Sequence, residues 1–262
     1  MREVGKGIGW RIVRIAVHPD VQGRGIGSYM LKKITEEAIE RNYDWVGSGF
    51  GVTEELLNFW VKNGFVPVHI SPDRNPVSGE YTILVIKPLK PEWSRYVKIM
   101  NKEFREKILH SLHDTYRDLE TEVALMLLKT HSEEVSAQCE HQQFLTPIQL
   151  DRALSYIAGH LTYESCSDVI RLIVENYFSN PNCWPSLGKA EELLLVAKAL
   201  QGLSWDDSAR IANMKKQKAI DSMRSIIAEL RVPNIDNAET SVEKMLGVVD
   251  EKLYNDATLY IE

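Results

Sequence analysis

Three glycines, Gly23, Gly25 and Gly27, crowd the segment His18-Pro-Asp-Val-Gln-Gly-Arg-Gly-Ile-Gly-Ser28, directly after the apolar run Arg11-Ile-Val-Arg-Ile-Ala-Val17. A glycine-rich turn between a strand and a helix leaves backbone N–H groups unobstructed, and the helix start adds unpaired N–H groups and a positive dipole end. The spacing therefore offers a phosphate cradle; a tight connection that happens to be glycine-rich is the alternative. The chain contains no GxxxxGK[ST], which excludes a nucleoside-triphosphate P-loop. The dinucleotide fingerprint GxGxxG also fails, because the residues run Gly23-Arg-Gly25-Ile-Gly27-Ser28. What the segment does carry is Gln-x-x-Gly-x-Gly, at Gln22, Gly25 and Gly27.

Two side chains near this loop have acid–base chemistry. His18 closes the first strand ahead of Pro19, where an exposed imidazole can act as a base or serve a structural or ligand-contacting role. Glu55 falls in the first turn of a helix, a place where the dipole alone already accounts for a carboxylate. Far along the chain, "LSWDDSARIANMKKQKAIDSMRSIIAELR" (203–231) reads as a capped short helix, a turn near Ala212-Asn-Met214 and a longer helix, a spacing that resembles a helix-turn-helix. Lys215, Lys216, Lys218 and Arg224 make its second helix basic, offering either a phosphate-binding face or an ordinary solvated one. Trp205 and Met214 read as core anchors rather than base-stacking platforms. A second basic group, Arg95, Lys98, Lys102, Arg105 and Lys107, does not share one helix face.

The elements that must position these groups fall into two textures. Strands at 11–17, 44–50, 65–70 and 81–87 alternate with helices at about 27–41 and 54–63, which predicts an α/β layer structure. Pro88-Leu-Lys-Pro91 breaks regular structure and marks the expected domain boundary, giving domains 1–90 and 91–262. Beyond it, apolar residues recur at helical spacing, predicting helices near 93–116, 118–130, 146–160, 164–178, 187–201, 204–213, 215–230 and 239–254. Thr146-Pro-Ile-Gln149 and Ser204-Trp-Asp-Asp207 read as capped helix starts. The second half is expected to be all-α.

Composition narrows the class. A chain of 262 residues with 44% hydrophobic and 26% charged residues fits a soluble globular protein of two domains. No apolar run approaches the roughly 18 residues of a membrane span, and Met1-Arg-Glu-Val-Gly-Lys6 lacks the apolar core of a secretion signal, so no membrane partner and a cytoplasmic location are expected. Cys139, Cys166 and Cys183 suit neither a disulfide framework nor a CxxC metal site, and are expected to be free thiols without a metal. The net charge of −6 argues against a general polyanion binder but leaves room for a local basic face.

The Gln-x-x-Gly-x-Gly loop, its preceding strand and the HP-x-x-Q-G-x-G context resemble the acyl-CoA pyrophosphate loop of the GNAT acetyltransferases. "RIVRIAVHPDVQGRGIGSYML", "GSGFGVTEELLNFWVKNGFVPVHIS" and "SGEYTILVIKPL" together resemble the acetyltransferase region of the tRNA(Met) cytidine acetyltransferase family, and the helical half sits where that family carries its tRNA-binding region. The resemblance implies acetyl-CoA as acyl donor, tRNA as partner and N4-acetylcytidine as product. It further implies that Ile15, Ala16 and Val17 contact the pantetheine arm, that the strand over 46–50 splays from its neighbour to admit it, and that Gln22, Gly23, Arg24, Gly25, Gly27 and Ser28 wrap the phosphates.

Departures from the pattern matter as much. Many GNAT enzymes carry a tyrosine four residues before the Gly-Phe closing the second helix, where it protonates the leaving thiolate; here Gly64-Phe65 puts Trp60 there, and an indole N–H is no such acid. The N4 amine of cytidine is a weak nucleophile that needs positioning and help with proton removal, for which His18 and Glu55 are the candidates, Glu55 lying within the family's GxTxEL pattern. A full GNAT fold has further elements before the first strand, and the family carries an ATP-using module upstream, so the resemblance reads the chain as a C-terminal part or truncated relative. An exposed first strand would also permit homodimerisation. A protein or small-amine acetyltransferase, and a non-catalytic RNA-binding adaptor with a vestigial loop, are the competing readings.

Overall fold

The computed structural model describes residues 7–130 and 145–230, so Cys139 and the helix expected at 239–254 lie outside the described residues. The chain divides into two compact units, residues 1–136 and 137–262. Among the described residues no helix is long and apolar enough to cross a membrane.

The first unit is an α/β layer built on a four-stranded sheet of order β1-β2-β4-β3. Its strands are β1 (Gly9–Ile12), β2 (Trp45–Gly51), β3 (Val66–Arg74) and β4 (Tyr81–Pro88). β1 runs parallel to β2, while β2 and β3 each pair antiparallel with β4. Helix α1 (Ile26–Glu40) makes the crossover from β1 to β2, burying Leu31, Thr35 and Ala38 at one-turn spacing. Helix α2 (Glu54–Lys62) leads from β2 to β3, and its N-terminus is capped by Thr53, whose side chain accepts from Leu56 N. Ile12, Leu31, Ala38, Val46, Trp60, Phe65 and Val85 form one buried cluster.

Helices α3 (Pro91–Ser111) and α4 (Thr121–Lys129), the first two after the proline-flanked break, belong to this unit. The buried stripe Trp93, Val97, Phe104 and Ile108 turns α3 onto β3 and β4. β3 has a register shift between Pro67 and His69, and the buried Asn101 donates to the Pro67 carbonyl at 2.9 Å. α3 ends earlier than its apolar pattern, and turns bring Leu112, Tyr116 and Leu119 into the core.

The second unit is all-α, as expected. α5 (Pro147–Ile157) opens with a full Thr146/Gln149 capping box. α6 (Tyr163–Ser179) packs on α5, and Arg152 of α5 clasps Asp168 of α6 at 2.7 and 2.8 Å, which holds the Asp168 carboxyl below its ordinary pKa. α7 (Lys189–Leu194) widens into a π-wound segment over Leu195–Leu200. α8 (Trp205–Ile211), capped by Ser204, packs on α9 (Lys216–Glu229) through a turn where Asn213 has φ 53°. Cys166 is a buried free thiol. Cys183 corrects the expectation of free thiols, since it is disulfide-bonded; widely spaced cysteines can meet only through the fold, which spacing does not reveal.

Candidate functional site

Pairing between β1 and β2 begins at Gly9/Trp45 and ends at Ile12/Ser48. β1 therefore stops before Val17, correcting the strand expected over 11–17. Beyond Ile12 the chain continues through Val13 and Arg14 to the apolar Ile15, Ala16 and Val17, but β2 keeps its ladder pairing only toward β4. A cleft of about 740 Å³ opens there, within the range of small-molecule sites. Its walls include Ile15, Ala16 and Val17 from this released segment, Gln22, Gly23, Gly25, Gly27 and Ser28 from the loop and the α1 start, and Glu55, Leu56, Phe59 and Trp60 from α2.

The loop's geometry follows from its residue types. Gln22 folds back to donate its Nε2 to the Val17 carbonyl at 3.0 Å. Gly23 (φ 72°) and Gly25 (φ 79°) adopt the left-handed conformation, and a Cβ on either would meet nothing within 4 Å. Open space thus lies over both glycines, beside the start of α1, for which Gly25 is the N-cap residue without a side chain to cover the helix N–H groups. Gly27 serves differently: a Cβ there would lie 3.1 Å from the Phe59 ring, so its absence lets α1 approach α2. Every residue expected to contact an acyl-CoA lines this cleft except Arg24, which is exposed on the loop.

The two acid–base candidates separate. His18 caps the 3-10 turn Pro19–Val21, its Nδ1 accepting from Asp20 N at 3.3 Å, and it does not line the cleft. Glu55 does, and it is the one titratable side chain among the described lining residues. Trp60 is 2% exposed and fixed by stacking on Phe50 and by edge contacts with Phe59 and Phe65. Asn63, just past α2, is a residue that sequence reasoning passed over: its Nδ2 donates to Ser28 Oγ at 3.1 Å and to Phe59 O at 2.7 Å. No local signal marks it, because its partner lies 35 residues away.

In the second unit the basic residues of α9 do not act alike. Lys215 and Lys218 are exposed. Lys216 pairs with Asp206 at 2.9 Å, and Arg224 is half-buried, donating Nε to Tyr156 O at 2.9 Å with its guanidinium 5.2 Å from the Tyr156 ring centre. Burial pushes the Tyr156 hydroxyl up to about 12. Trp205 is anchored, as its Nε1 donates to Glu164 at 3.0 Å and Lys198 Nζ lies 4.9 Å from its ring centre. In the first unit the α3 basic group also divides: Arg105 Nε donates to Leu128 O at 2.8 Å and Lys107 Nζ lies 5.6 Å from the Tyr116 ring centre, while Arg95 and Lys98 border a shallow cleft at the α3 start.

A family model described as GNAT acetyltransferase 2 matches residues 29–90. The chain is 49% identical over 219 residues to a tRNA(Met) cytidine acetyltransferase TmcA of Thermofilum pendens, covering 83% of this chain and 26% of that protein. It is 43% identical over 222 residues to the TmcA of Methanopyrus kandleri, covering 85% of this chain and 25% of that protein. Against the TmcA 2 of Saccharolobus solfataricus it is 40% identical over 222 residues, covering 85% and 28%. The chain spans about a quarter of the length of these curated relatives. The chain thus carries a GNAT acetyltransferase 2 segment and, along most of its length, is similar to one part of the tRNA(Met) cytidine acetyltransferases.

Proposed function

We propose that this chain binds acetyl-CoA in the cleft between the released segment after β1 and helix α2, and supplies acetyl transfer to a cytidine of tRNA. The observation that carries the reading is the coincidence of three features in one cavity. β1–β2 pairing ends at Ile12/Ser48, the apolar residues Ile15 to Val17 follow, and two left-handed glycines with open space above them lead into α1. Main-chain groups without a strand partner suit an amide-bearing arm, and bare N–H groups at a helix start suit a pyrophosphate. The residues fit the group: Ile15, Ala16 and Val17 would hold the arm, and Gln22, Gly23, Gly25, Gly27 and Ser28 the phosphates, with Arg24 a charge partner at the rim.

Bound acetyl-CoA supplies an activated thioester. The protein's own share is orientation, exclusion of water and proton handling. Trp60, fixed among Phe50, Phe59 and Phe65, gives the cleft a rigid apolar wall. Glu55 Oε is the group we assign to accept a proton from the incoming amine, because it lines the cavity; His18 is held in a turn outside it. On the second unit, Lys215, Lys216 and Lys218 at the α9 start are the groups we assign to tRNA phosphates, gripping backbone and shape rather than reading bases. Arg224, tied to Tyr156, would support that helix rather than reach out.

The test exchanges the matching stretch of the Thermofilum pendens protein for this chain and follows label from acetyl-CoA into tRNA(Met), with nuclease digestion to identify N4-acetylcytidine. The chimera is expected to form it and a Gly25→Glu chimera is expected not to. A chimera that folds and binds tRNA yet transfers no label overturns the reading.

A further inference from the structure

A side-chain hydrogen bond between Asn63 and Ser28 joins the end of α2 to the start of α1. Ser28 is the third residue of α1, half-buried and lining the cleft. A serine hydroxyl has one proton to donate and lone pairs to accept with. Asn63 Nδ2 fills an acceptor position on Ser28 Oγ at 3.1 Å, and among the described residues this is the only hydrogen bond of the Ser28 side chain. The hydroxyl proton is therefore left without an acceptor among them, at the wall of the cleft.

Asn63 is itself held against turning. Its second Nδ2 hydrogen goes to Phe59 O at 2.7 Å, one turn back on α2, so both amide protons are spent. Its main-chain carbonyl accepts from Lys87 Nζ at 2.9 Å, a bond from β4 that pins the α2 terminus just before the left-handed Gly64. Lys87 is partly buried, and burial lowers its pKa. The chain of contacts runs Lys87 to Asn63 to Ser28, from sheet to helix end to loop.

We propose that Asn63 is a positioning residue for the anion cradle: by donating to Ser28 Oγ, it turns the Ser28 hydroxyl proton into the cleft as a fixed donor for the diphosphate of an acyl-CoA. This rests on the acetyl-CoA reading above. It adds a side-chain donor to the main-chain N–H groups at the α1 start, and it places its origin in α2. A donor aimed in advance costs a charged ligand less ordering than a freely rotating one.

The test is a double-mutant cycle on the full chain, Asn63→Ala, Ser28→Ala and the pair, with acetyl-CoA affinity by calorimetry and thermal midpoint for each. Ser28→Ala is expected to weaken acetyl-CoA binding by about tenfold, the value of one hydrogen bond to a charged group, and Asn63→Ala, which leaves the hydroxyl in place but free to rotate, by less than that but measurably. The pair should be no weaker than Ser28→Ala alone, since without the hydroxyl Asn63 has nothing left to orient. The thermal midpoint is expected to fall with Asn63→Ala in either background, because the bond to Phe59 O disappears whether or not Ser28 is present. Additive losses of affinity, or an Asn63→Ala variant that binds like wild type, overturn the positioning role while leaving the cofactor reading intact. A wild-type chain that does not bind acetyl-CoA overturns the cofactor reading and this proposal with it.

Discussion

The ring of Phe59 fills the space a Cβ on Gly27 would need, with the nearest ring carbon 3.1 Å from that point. The α1–α2 approach beside the cleft is therefore set by one absent methyl group. Gly27→Ala is expected to destabilise the fold by about 1 kcal/mol through overpacking, measured as a shift in the denaturant midpoint. Phe59→Leu should return part of that loss in the double variant. If the two changes add independently, the contact does not limit the approach.

The end of the β1–β2 ladder is held by a side chain. Ser48, 8% exposed, donates Oγ to Ile12 O at 3.0 Å. Ser48→Ala leaves that carbonyl short of a partner and should cost about 1 to 2 kcal/mol. Amide exchange should quicken in β1 and stay unchanged in β3. Equal quickening in both strands would mean Ser48 supports the whole sheet instead.

Asp44 ties three segments together. Its carboxylate accepts from Lys90 Nζ at 2.7 Å and from Ile8 N at 2.7 Å, while its main chain pairs with Ile8 and Leu89. The Lys90 ammonium first, and the Ile8 N–H second, hold its pKa below the ordinary carboxylate value. A depressed carboxylate pKa gives stability that is present above the unfolded-state pKa of about 4 and lost as pH falls below it. The stability gap between wild type and Asp44→Asn should be full at pH 7 and close as pH drops below about 4. A gap independent of pH would place the effect in shape rather than charge.

Charge reversal at Lys215 and Lys218 is expected to weaken tRNA binding and to make the salt slope shallower by about 0.7 to 0.9 for each phosphate no longer neutralised, without changing the thermal midpoint. Arg224→Met should do the reverse, lowering the midpoint because its bond to Tyr156 O is removed. Filter binding across a salt series, beside thermal unfolding, separates the two.

Much of the first unit is legible in its sequence because short apolar alternation and capped helical stripes are local signals. The Thr146 capping box and the Ser204 cap in the second unit, and strands β2, β3 and β4 of the first, fall where the residues indicate. The length of β1 is not legible, since alternation marks extended chain but a ladder needs a neighbour, and pairing ends at Ile12. The return of α3 to the sheet is hidden because a buried stripe does not say what it will cover. At the site, the glycines announce the cradle by type alone, whereas Asn63 is recognisable only through Ser28, and Arg224 through a carbonyl 68 residues distant.

Acetyl-CoA binding in the cleft is the event on which the functional assignment depends. Calorimetric titration of acetyl-CoA into the full chain, with Gly25→Glu as control, measures it directly. The predicted result is one saturable site that the control loses while its thermal unfolding stays cooperative. Heat of dilution alone in the wild type, or binding that Gly25→Glu leaves untouched, would contradict the assignment of the cleft.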